Sequence, residues 1–278
     1  MRSRPRQRLV RLATRLLTKP LGHYARHATN DLANLRRHIK KGDVILVEGD
    51  QRVSEVIKYL TQSSWSHSAL YIGDELWQRK PALRNVLGTA FGADAQHLMV
   101  EALVEEGVVA SPLSKYIDFN IRVCRPYNLR REDIDTVLDD VMGQIGNRYD
   151  VKNLIDLARY FLPVSLVPRR LRRTVLEFGS RLPTQAICSS MIAHAFGQVR
   201  YPILPEVTKS EEPPASDRWG WLGRRSRNSG SLFRSRPVTL TTPRDFDMSP
   251  YFEVIKFNIL EEMKFDYRKI RWVEDQAS

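Results

Sequence analysis

Residues 66–73 read Ser-His-Ser-Ala-Leu-Tyr-Ile-Gly, a run that alternates well enough to be a half-buried strand with His67, Ala69 and Tyr71 along one face. Working outward, Val44-Ile45-Leu46-Val47 after the turn Lys41-Gly42-Asp43 predicts a strand, and so do residues 97–102, 107–110, 121–125 and 252–257. Helical spacing predicts helices over 31–40, 54–60 (with Ser54 as a plausible N-cap), 130–145, 151–161 and 187–196. Residues 75–95 read as a loop-like insertion. The pattern is α+β, with a small antiparallel sheet packed against helices.

The chain has 278 residues, enough for one domain with a sizeable core plus appendages. With 42% hydrophobic and 27% charged residues, wholesale disorder and collagen-like repeats are excluded. Lys and Arg number 44 against 32 Asp and Glu, a net charge of +12. That balance favours acidic surroundings such as nucleic acid, anionic lipid or cell-wall polymer, without choosing among them. Residues 1–28 hold eight Lys or Arg and no acid. Leu9, Leu12, Ala13, Leu16 and Leu17 fall there at helical spacing, with Arg8, Arg11 and Arg15 on the other side. Such a helix suits an anionic membrane surface, or packs its apolar stripe on its own domain.

Four parts are expected: a basic helical arm over 1–40, a main domain over 41–208, a flexible Arg/Ser/Pro-rich loop over 209–240, and a C-terminal strand and tail over 241–278 packing on the domain. No apolar run approaches the roughly 18 residues that span a bilayer. Arg11 and Arg15 interrupt any signal-like apolar region, so no cleavable signal peptide is expected and a cytoplasmic location is the default. The two cysteines, Cys124 and Cys188, cannot build a disulfide framework, and no cysteine spacing suggests structural zinc.

Cys188 opens the helix over 187–196, where the positive end of the helix dipole and unpaired N–H groups favour a thiolate. It also falls on a stripe with Ile192, Ala195 and Val199, which suits plain core filling. A thiol nucleophile wants an imidazole base and a polar group to orient it. His194 follows on the opposite face of the same helix, while His23, His27 and His38 lie among basic residues. His67 and His97 each begin a strand, where a rigid sheet can aim the ring into a cleft. Glu101 places a carboxylate inside an otherwise apolar strand. Either it faces water at an edge, or it is buried and paired, for an unpaired buried carboxylate costs several kcal/mol. Cys124, mid-strand between Arg122 and Arg125 with no helix start beside it, reads as structural.

The segments 41–47, 65–73, Val100-Glu101-Ala102 with Gly107-Val108 and Pro112-Leu113, Gly146-Asn147-Arg148-Tyr149-Asp150, and Ile187-Cys188-Ser189-Ser190 together resemble the YiiX/YebB-like cysteine hydrolases. These are circularly permuted relatives of NlpC-type cell-wall peptidases, also called permuted papain-like amidases, in which the histidine strand precedes the cysteine helix. The resemblance covers residues 41–200 and implies a permuted papain-like hydrolase domain. It puts the nucleophile on Cys188, the base on His67 and the third, polar position on Glu101. Tyr149 would line the site, and Ser66 and Ser189 beside the base and nucleophile are the other substrate-binding candidates. Arg148 stands where proline is usual and Ser190 where an acid is usual, which weakens a role for Ser190. The tail over 242–252 resembles bacterial chains loosely called lipo-like proteins.

What the resemblance implies is a cysteine hydrolase that cleaves a peptide or isopeptide amide, cell-wall-derived in its relatives, through an acyl-enzyme. Such chemistry needs no metal and no organic cofactor. A lipid ester or thioester hydrolase or acyltransferase, as in the lecithin–retinol acyltransferase group, is the alternative, and would give residues 1–28 a place on anionic membrane. A third reading is a non-catalytic basic module: Arg224, Arg225, Arg227, Arg234 and Arg236, interleaved with Trp219, Trp221 and Phe233, have the composition of a nucleic-acid surface. No nucleic-acid-binding motif accompanies that run, which also reads as a solvated loop.

Overall fold

The computed structural model describes residues 19–20, 30–103, 106–147, 187–204, 206–208, 232–234 and 237–257. In chain order these form α1 (Leu32–His38), β1 (Val44–Val47), α2 (Arg52–Thr61), β2 (His67–Gly73), α3 (Glu75–Arg79), α4 (Arg84–Phe91), β3 (Leu98–Leu103), β4 (Gly107–Pro112), β5 (Ile121–Pro126), α5 (Arg131–Gly143), α6 (Ile187–Gln198), β6 (Glu206–Thr208), β7 (Leu232–Arg234), α7 (Pro243–Asp247) and β8 (Phe252–Ile255). Short 3-10 turns at Gly92–Gln96, Leu113–Tyr116 and Val238–Leu240 link them.

Six strands make one sheet in the order β4-β3-β2-β1-β5-β8, with every pairing antiparallel. Successive side chains of a strand point to opposite faces, and here both faces are apolar. Val44, Leu46, Leu70, Ile72, Leu98 and Val100 join α5 and α6 residues in one core. Ile45, Val47, Ala69, Tyr71, Met99 and Val123 face the other way, onto Leu35 and Ile39. β1 lies at the centre of the sheet, so all four of its residues are buried, which is why it reads as an unbroken apolar run. Asp31 caps α1 by accepting from the N–H groups of Ala33 and Asn34.

Several expectations are corrected. Residues 75–95 form α3, α4 and two 3-10 turns rather than a loop. Leu76 and Leu87 are buried in the α6-side core with Trp77 packed against it, and Arg79 pairs with Glu75 and with Asp135 and Asp139 of α5. The second helix starts at Arg52 after Gln51, which leaves Ser54 within the first turn instead of at the cap. His97 precedes β3, which starts at Leu98, and the last strand ends at Ile255. Part of the predicted loop over 209–240 is ordered, because Leu232–Arg234 pairs with Glu206–Thr208. The stretch 209–231, the helix expected over 151–161 and most of the basic arm lie outside the described residues. Of that arm, Pro20 bridges Gln51 and the Lys19 carbonyl accepts from the Arg52 N–H at 3.3 Å.

Candidate active site

β2 begins at His67, opposite Val47 of β1. Pairing with β3 starts two residues later, at Ala69 opposite Glu101, so His67 stands at a corner of the sheet with no β3 residue directly beside it. His67 and Glu101 are diagonal neighbours on one face, within reach of long side chains. Their contact is direct: His67 Nε2 lies 2.7 Å from Glu101 Oε2. The Tyr116 hydroxyl donates to the same oxygen at 2.6 Å, and Lys115 Nζ donates to Oε1 at 2.5 Å. Glu101 is fully buried, the second of its two sequence readings. Three donors from β2 and the 113–116 turn offset the desolvation of its charge. The Tyr116 ring leans on His67, with centroids 5.8 Å apart.

Cys188 is the second residue of α6, which packs on β2 and β3. The residue is 5% exposed and lies close enough to His67 for the two to shift each other's titration. Burial pushes the Cys188 thiol up, but the adjacent imidazolium and the Ser68 contacts outweigh it and hold the thiol below its ordinary range. Burial likewise opposes a charged His67. The Cys188 thiolate, then Glu101, overcome it and raise the ring to about 10. Burial works against the Glu101 carboxylate too, yet His67 and Lys115 keep it well below the usual carboxylate range. The directions for the three groups agree on one state: thiolate, imidazolium and carboxylate. A helix start adds a further positive potential at the sulfur.

The other described histidines have other partners. His97 Nδ1 lies 3.0 Å from the Tyr71 hydroxyl, so this alternative base is engaged away from the sulfur. His194 binds Asp140 and His38 the Asn34 carbonyl. Cys124 is fully buried, and burial, then the Asp247 charge, push its thiol up to about 12, an inert sulfur.

Ser66 and Ser189 are both buried, each with a hydroxyl bonded to backbone. Ser66 is 3% exposed and its hydroxyl accepts from the Gly49 N–H at 2.9 Å. This approach is so close that a Cβ on Gly49 would collide with the Ser54 and Ser66 hydroxyls. Ser189 is fully buried and donates to the Thr241 carbonyl at 2.8 Å, tying α6 to the C-terminal segment. Tyr149 lies outside the described residues. Lys115 and Tyr116 were missed by the sequence reading. The signal that points to them is the demand of Glu101 itself, since a buried carboxylate must collect donors and the nearby polar turn 113–116 supplies them.

Among the described residues no group of three or more His, Cys, Asp or Glu is placed to hold a metal ion, and no helix is long and apolar enough to cross a membrane. The family model described as permuted papain-like amidase enzyme, YaeF/YiiX, C92 family, matches residues 38–161. That segment contains His67 and Glu101 and ends before Cys188. A crystal structure of the metalloprotein yiiX from Escherichia coli O157:H7 aligns at a TM-score of 0.41 with 14% identity, over 78% of this chain and 96% of that one. No curated protein matches the chain.

Proposed function

We propose that this chain, whose residues 38–161 match the model of the permuted papain-like amidases of the YaeF/YiiX family, is an amidase of that kind and hydrolyses amides through Cys188, His67 and Glu101. The Cys188 thiolate attacks the carbonyl carbon, and the displaced electron pair moves onto the oxygen. Backbone N–H groups at the start of α6 receive that oxyanion. The His67 imidazolium then gives its proton to the leaving nitrogen as the C–N bond breaks, leaving a thioester on Cys188. Neutral His67 next takes a proton from water, whose oxygen attacks the thioester and releases the acid, and the thiolate–imidazolium pair is restored. Glu101 orients the ring throughout and stabilises its charged form.

The observation that carries this reading is the His67 ring bonded to the buried Glu101 carboxylate and set beside Cys188. Its test is covalent labelling with iodoacetamide and turnover on peptide amides. Cys188→Ala and His67→Ala are each expected to abolish both, and Cys124→Ser to change neither. Undiminished labelling of the Cys188→Ala protein would end the proposal. For the substrate, cell-wall-type peptides are proposed over acyl lipids. Release of product from muropeptides, with none from labelled phospholipid vesicles, is the expected result, and the reverse would assign the thiol to ester chemistry.

A further inference from the structure

We propose that Lys115 and Tyr116 are positioning residues for proton transfer: together they lock the Glu101 carboxylate against the His67 ring and loosen its hold on the ring proton. The inference rests on the reading of His67 as the acid that serves the leaving group. It begins with the way the two carboxylate oxygens are shared. Oε2 binds His67 Nε2 at 2.7 Å and accepts from the Tyr116 hydroxyl at 2.6 Å, while Oε1 accepts from Lys115 Nζ at 2.5 Å. Glu101 is fully buried, so these three partners, rather than bulk solvent, set its orientation and the charge it offers to the ring.

The turn that carries the two donors is anchored on several sides. Leu113 is buried in the core on that face of the sheet, and its N–H donates to the His97 carbonyl at 2.8 Å. Ser114 donates to Asp94, which also pairs with Arg36. Just past the turn, the Asn30 side-chain amide donates to the Ile117 and Phe119 carbonyls at 2.8 and 2.6 Å. The Phe119 ring meets Tyr116 edge-on, with centroids 5.5 Å apart, and Lys115 Nζ stands 5.2 Å from the centre of the Tyr116 ring. Tyr116 in turn leans on His67. One side chain thus touches both partners of the Glu101–His67 bond.

A carboxylate that accepts from several donors offers less negative charge to each, and a cation on its other oxygen repels the charge of an imidazolium. Glu101 alone, 2.7 Å from the ring, would hold the proton too firmly for delivery to a leaving nitrogen, since an acid works best with its proton poised near the working pH. Lys115 and Tyr116 therefore make His67 the stronger acid while its ring stays aimed. The other groups about this pair are Cys188 from α6, which favours the charged ring, and Glu106, whose charge bears on Tyr116. On β1, Val47 opposite His67 brings no charge, and Glu48 after it is engaged by Lys58 and Asn120. A merely structural role, satisfying a buried acid, would cost stability and leave the titration of the ring where it was.

The experiment follows the His67 ring nitrogens by NMR as pH is varied, in the full chain with isotope-labelled histidine, the signal being identified by its absence from His67→Ala. A Cys188→Ala background removes the thiolate, so the midpoint reports on Glu101 and its donors. Relative to that background, Lys115→Met is expected to raise the midpoint by about one pH unit and Tyr116→Phe by about half a unit, while Lys115→Arg, which keeps the charge, leaves it in place. An unmoved or lowered midpoint in either Lys115→Met or Tyr116→Phe, with folding checked by circular dichroism, overturns the proposal. The Lys115 side chain is 33% exposed, so its replacement leaves no sealed cavity, and Lys115→Gln removes the charge with a polar head retained should Lys115→Met fail to fold. Because the titration is read without the thiol, it does not depend on Cys188 being the nucleophile. Failure of that assignment shows instead as undiminished iodoacetamide labelling of Cys188→Ala, and the two failures are told apart.

Discussion

Proton counting at Cys188 and His67 predicts how stability follows pH. The ordinary values are 6.5 for the imidazole and 9.0 for the thiol, and folding raises the first to about 10 and lowers the second. The lowered thiol contributes stability that grows as pH rises towards its unfolded value of 9.0. The raised imidazole works the other way: its contribution is complete below 6.5 and is lost as pH rises to about 10. Above about 9 the unfolded groups are bare while the folded imidazolium keeps its proton up to about 10, so stability falls. Urea unfolding of wild type and of a Cys188→Ala/His67→Ala double variant should therefore differ by an amount that falls as pH rises from about 9 through about 10. A difference that climbs steadily across that window would contradict the ion pair. At this scale the sequence was most legible where chemistry is unusual: a cysteine at a helix start, a histidine at a strand start and an acid in an apolar strand. Lys115 and Tyr116 were not legible, since their role exists only because Glu101 is buried. The backbone bonds of Ser66 and Ser189 were not legible either, because a serine beside a reactive group is as well suited to holding backbone as to holding substrate.

Strands with an unbroken apolar run or clean alternation were readable because each face of the sheet has its own core. Leu46 illustrates the energetics. It is fully buried at the centre of the sheet, and Leu46→Ala should lower the free energy of unfolding by about 2–5 kcal/mol, measured by urea denaturation at pH 7. A loss below about 1 kcal/mol would mean that β1 is not central. Residues 75–95 failed as a reading for a physical reason. α3 and α4 are short, so local propensity contributes little. They are held by Leu76 and Leu87 in the core and by Arg79 reaching Asp135 and Asp139. Those partners are far away in sequence, and a local window cannot see them. The start of α2 moved for a related reason: it follows Gln51, which the bridge to Pro20 holds from outside the helix.

Across the molecule, the segment from Thr241 to Phe257 ties the two halves of the site together. Ser189, next to Cys188, donates to the Thr241 carbonyl. Trp65, two residues before His67, donates from its indole N–H to Asp247 at 3.1 Å, and Arg244 donates to the Thr61 carbonyl at 2.9 Å. Phe252 meets Phe196 and Tyr201 edge-on, with ring centroids 5.4 and 5.7 Å away, and Phe246 at 5.5 Å. Phe246→Ala should cost about 3–5 kcal/mol and slow alkylation of Cys188 as well, read by urea denaturation and iodoacetamide labelling of the same sample. Loss of stability with labelling untouched would separate this segment from the site. Because the last strand and the aromatic cluster are made by the final portion of the described chain, a ribosome delivers the histidine and the cysteine long before the piece that braces them.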